Sequence, residues 1–87
     1  MSLSVFWADR KAKKAYEDLS PIVRPRIGAA IKNLSVNSRP QGCKKLSGKL
    51  SGIWRIRVGD FRVLYEVRDK TREVVILDIG PRRQIYR

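Results

Sequence analysis

Eighty-seven residues, 43% of them hydrophobic, make one domain over 1–87, near the lower size at which a chain folds without disulfides or metal. Twenty Lys+Arg against eight Asp+Glu give a net charge of +12, which implies a polyanionic partner, either nucleic acid or an acidic protein surface. The absence of histidine excludes Ser-His and Cys-His nucleophilic catalysis, and a single cysteine excludes an intrachain disulfide.

The carboxylates stand singly except for Glu17-Asp18, so no metal or other cofactor is expected. Cys43 reads as a structural thiol in a reducing compartment. With no signal peptide and no apolar run able to span a bilayer, the expected location is cytoplasmic, away from membranes.

In chain order, residues 3–7 (LSVFW) are β-branched and aromatic and predict a first strand. Asp9 is placed to cap a helix through Leu19, with Ala12, Ala15, Tyr16 and Leu19 on one face. Ser20-Pro21 ends it and opens a second helix to about Val36, with a stripe of Val23, Ile27, Ala30, Ile31 and Leu34. Pro25 leaves two alternatives: the regular helix starts near Arg24, or its first turn is distorted.

Residues 37–52 read as a loop, with Pro40, three glycines and the cations Arg39, Lys44, Lys45 and Lys49, a composition that suits backbone phosphate contacts or a solvated loop. Trp54, Ile56 and Val58 then alternate with Arg55 and Arg57. Gly59-Asp60 is a two-residue turn signal, and Phe61, Val63, Tyr65 and Val67 alternate on the return. That turn puts Val58 opposite Phe61, Ile56 opposite Val63 and Trp54 opposite Tyr65, the face expected to meet the helices, with Trp54 in the core. Arg57 falls opposite Arg62 on the other face, and Arg55 opposite Leu64. Like charges opposed across a strand pair are destabilising, so this pairing is either an anion site or a basic face splayed into solvent.

Glu73 to Ile79 is a nearly continuous apolar strand, expected in the middle of the sheet and stopped by Gly80-Pro81. The chain closes on Arg82, Arg83, Gln84, Ile85, Tyr86 and Arg87. The expected architecture is α+β: an N-terminal strand and a two-helix hairpin packed on a mostly antiparallel four-stranded sheet.

The segment KKLSGKLSGIWRIRVGDFRVLYEV, followed by an apolar strand and IGPRRQIYR, resembles the RelE/ParE superfamily of toxins from type II toxin–antitoxin pairs, over essentially the whole chain. The resemblance is to the RelE branch in particular. It implies a metal-independent endoribonuclease that cuts mRNA in the A site of the 30S ribosomal subunit, using the 2′-hydroxyl against the adjacent phosphate.

By position it implies catalytic roles for Arg55, Arg57, Arg62 and Arg82, and a base or stacking role for Tyr86. Lys44, Lys45, Lys49, Arg83 and Arg87 would contact RNA or ribosome. Well-known members carry lysines where this chain has Arg55 and Arg57. Arginine does not give up its proton, so proton transfer would pass to Tyr86, to Lys44, Lys45 or Lys49, or to the ribosome. The implied partner is an acidic, RelB-like antitoxin. The other readings are a ParE-like gyrase inhibitor without nuclease chemistry, and an inactive relative that only binds RNA or ribosome.

Overall fold

The structure, a computed structural model, describes residues 2–48 and 52–81. Five strands form one sheet in the order β1-β5-β4-β3-β2. In chain order the elements are β1 (Ser4–Trp7), α1 (Arg10–Glu17), α2 (Val23–Leu34), β2 (Lys44–Lys45), β3 (Trp54–Val58), β4 (Phe61–Arg68) and β5 (Glu73–Pro81). All neighbouring pairs are antiparallel except β1 with β5, which run parallel. A parallel pair needs a long crossover, and α1 and α2 are part of it.

Asp9 caps α1 as expected, its carboxylate accepting from the Ala12 N–H at 2.9 Å. Ser20 serves the start of α2: its Oγ accepts from the Val23 N–H at 3.2 Å. Because α2 begins at Val23, Pro25 falls in the first turn, where a backbone N–H has no intrahelical partner to lose. The proline is therefore accommodated without breaking the helix.

Ile27, Ile31 and Leu34 of α2 are buried against Ile56, Val63, Tyr65, Val74, Ile76 and Ile79, with Ala15, Tyr16, Leu19, Val23 and Trp54 packed around them. The helices thus cover the sheet face that the alternation assigned to the core. Gly28 lets α1 and α2 approach closely, since a Cβ there would lie 2.6 Å from the Tyr16 hydroxyl.

Three details differ from expectation. The sheet has five strands, because Lys44 and Lys45 leave the loop to pair with Arg55 and Trp54. Two residues are too few for alternation to reveal. Second, β5 continues through Gly80-Pro81, opposite Arg62 and Phe61; its last residue can be a proline because a strand end tolerates a missing donor. Third, the register of β5 slips between Leu64 and Tyr65, which face Asp78 and Ile76, so that Leu77 is an extra residue. The slip brings Ile79 to the same core as Val74 and Ile76, and accounts for an apolar run without a clean period of two.

Candidate functional site

The β3–β4 turn sets the site. Gly59 adopts φ +61°, the left-handed conformation that a two-residue hairpin requires, and the register follows: Val58↔Phe61, Arg57↔Arg62, Ile56↔Val63, Arg55↔Leu64, Trp54↔Tyr65. Arg55, Arg57 and Arg62 therefore rise from the sheet face opposite the helices. The Lys44↔Arg55 pairing adds a lysine to that face, at the margin made by β2.

Two of the arginines are withdrawn from solvent. Arg55 and Arg62 are each 8% exposed, whereas Arg57 is exposed. The Nε of Arg55 is buried with no hydrogen-bond partner among the described residues. A buried donor left in this way carries a desolvation cost of roughly 1–3 kcal/mol. Side chains rooted about 5 Å apart, as Arg57 and Arg62 are by pairing, would repel by roughly 3 kcal/mol at an effective dielectric of 20 if their charges stayed that close. Such a face is stabilised by an anion that takes bidentate contacts from guanidinium groups. Carboxylates share the face: Glu66 of β4, held by Arg68 at 3.4 Å, and Asp78 of β5, paired with Leu64, whose Oδ1 accepts from the Ile79 N–H at 2.8 Å.

Lys45 lies apart from this group. It pairs with Trp54, and its Nζ is 5.9 Å from the centre of the indole ring. The Arg39 guanidinium stands 5.2 Å from the same ring and makes a two-pronged contact to Asp69, at 2.9 and 3.4 Å. That contact holds the Asp69 carboxyl below the usual carboxylate range. Trp54 is thus half-buried at the rim of the core beneath two cations. Lys49, Arg82, Arg83, Tyr86 and Arg87 lie outside the described residues.

On the helix side, α2 and β3 leave a cleft of about 400 Å³ lined by Ala30, Asn33, Pro40, Gln41, Gly42, Ile56, Arg57 and Val58. A smaller hollow of about 140 Å³, between Val23, Arg26 and the β3–β4 turn, shares Val58 with it.

Residues 8–86 match the family model described as the ParE toxin of type II toxin–antitoxin system, parDE, and the chain belongs to that family. Among solved structures, the RelBE2 toxin–antitoxin complex of Mycobacterium tuberculosis aligns at 25% identity over 94% of this chain and 100% of that one, with a TM-score of 0.83. The archaeal RelE-RelB complex of Pyrococcus horikoshii aligns at 28% identity over 97% and 99%, with a TM-score of 0.81. The isolated RelE toxin of E. coli, at 20% identity over 98% and 89% and a TM-score of 0.80, shares the fold. No curated protein matches the sequence. The protein is a toxin of a type II toxin–antitoxin system within the RelE/ParE superfamily.

Proposed function

We propose that this toxin is a ribosome-dependent endoribonuclease that cleaves mRNA in the A site and so inhibits translation. The observation that carries the reading is the convergence of Arg55, Arg57 and Arg62 on one sheet face, two of them buried. Attack of a 2′-oxygen on the adjacent phosphorus builds a doubly charged phosphorane. Guanidinium groups already in place meet that charge without reorganisation, in a cavity the mRNA and ribosome would close. Arg82 completes the set and Tyr86 takes the 2′-hydroxyl proton or stacks on a base. Lys45, Lys49, Arg83 and Arg87 hold the RNA or ribosomal phosphates. No metal takes part.

The antitoxin is an acidic, RelB-like chain. The cleft between α2 and β3, apolar at Ala30, Ile56 and Val58 and polar at Asn33 and Gln41, suits one face of an amphipathic segment. The solved relatives support such a partner, being described as complexes of RelE with RelB.

Primer extension on a reporter mRNA, with and without ribosomes, tests the reading. Wild type should create new 5′ ends only with ribosomes, and Arg62→Ala or Arg82→Ala should reduce the cleavage rate by about 10²–10³-fold. Full cleavage by both variants would remove the site assignment. The match to a family described by its ParE toxin favours a second reading, inhibition of DNA gyrase by protein contact. Intact mRNA together with gyrase-dependent DNA breaks would establish that alternative.

A further inference from the structure

We infer that Lys44 is the general acid of the proposed cleavage, protonating the departing 5′-oxygen. The inference rests on the nuclease reading above and assigns a step within it. Beside Lys44, the cations that line this part of the arginine side are the guanidinium groups of Arg55, Arg57 and Arg62, a type of side chain that does not serve as a proton donor. Lysine is the type that carries a proton at neutral pH and can release it during a reaction.

The pairing of β2 decides between the neighbouring lysines. Lys44 is directly opposite Arg55, so its side chain rises from the arginine face beside the Arg57–Arg62 row. Lys45 points the other way, with its Nζ 5.9 Å from the Trp54 ring. This register is held just beyond the pair, where the Leu46 N–H donates to the Ile53 carbonyl at 2.9 Å. Lys44 is exposed while Arg55 beside it is buried, so the ammonium is free to extend over a guanidinium fixed in the sheet. The carboxylates on this face stand away from Lys44: Glu66, two strand spacings and two residues off at about 12 Å, is held by Arg68 at 3.4 Å, and Asp78 lies three strand spacings off, about 14 Å.

In the step so assigned, the 2′-oxygen bonds to phosphorus as its proton passes to the base, the role proposed for Tyr86. The P–O5′ bond breaks, and O5′ takes a proton from the Lys44 Nζ. The products are a 2′,3′-cyclic phosphate, a 5′-hydroxyl and a neutral amine, which regains its proton from water.

The test compares single-turnover cleavage of two mRNAs on ribosomes, one natural and one with sulfur replacing the 5′-bridging oxygen at the cleaved linkage. A thiolate leaves without protonation, so the sulfur substrate bypasses the acid. Lys44→Arg keeps the charge and loses the transferable proton. It should slow cleavage of the oxygen substrate by about 10²-fold or more and cut the sulfur substrate within about threefold of wild type. Lys44→Ala should show the same rescue, with thermal unfolding confirming that both variants fold. An undiminished rate on the oxygen substrate, or an equal loss on both substrates, overturns the inference. Wild type that cuts neither substrate overturns the nuclease reading itself, and the inference falls with it.

Discussion

Tyr65 shows how much one side chain can decide at a distance. It is fully buried opposite Trp54, and its hydroxyl donates to the Ser38 carbonyl at 2.8 Å, tying the loop after α2 to the middle of the sheet. Alternation in the sequence assigns Tyr65 to the core, but its partner lies 27 residues away in a segment with no period, and nothing in the sequence points there. Burial, followed by the neighbouring Cys43, pushes the phenol above its ordinary value. Its stabilising contribution is therefore complete below pH about 10, where the unfolded phenol begins to ionise, and is lost as pH rises further. Tyr65→Phe should cost about 1 kcal/mol at neutral pH, a fall in Tm of roughly 4–8 °C, and should flatten the alkaline loss of stability. Thermal unfolding from pH 7 to 11 checks both effects; a variant with an unchanged Tm and alkaline slope would show the hydrogen bond to be dispensable.

The basic site depends on the β3–β4 hairpin, the element most legible in the sequence. Two strict alternations joined by Gly59-Asp60 fix every cross-strand pair from Trp54↔Tyr65 to Val58↔Phe61. A Cβ at Gly59 would meet nothing within 4 Å, so the cost of a side chain there is conformational alone. Gly59→Val should lower stability by about 1–2 kcal/mol through the left-handed φ, and Gly59→Asn by less, because asparagine tolerates that region. Equal unfolding temperatures for the two variants would show that the turn can change type. Less legible were the elements whose formation depends on a partner. The two-residue β2 exists because β3 offers it an edge, and β5 runs on through Gly80-Pro81 because β4 lies alongside. The arginine cluster was readable as a pairing; the burial of Arg55 and Arg62 was not, since it depends on how the assembled sheet is covered.

At the scale of the whole molecule, composition implies a partner of opposite charge but says nothing of the division of labour between the two sides of the sheet. The helix side holds the apolar core and the cleft along α2; the opposite side holds Lys44 with Arg55, Arg57 and Arg62. The parallel pairing of β1 with β5 has a consequence for birth rather than for binding. The first strand finds its place only beside the last, so during synthesis the sheet stays unfinished until residues 73–81 have left the ribosome. Until then β4 has no partner on one side, and the arginine face it shares with β3 stands on an unfinished sheet. A stalled nascent chain exposed only through residue 72 should be readily digested by protease, while one exposed through residue 87 should resist; resistance of the shorter chain would show that the fold holds without the strand that joins β1 to β4.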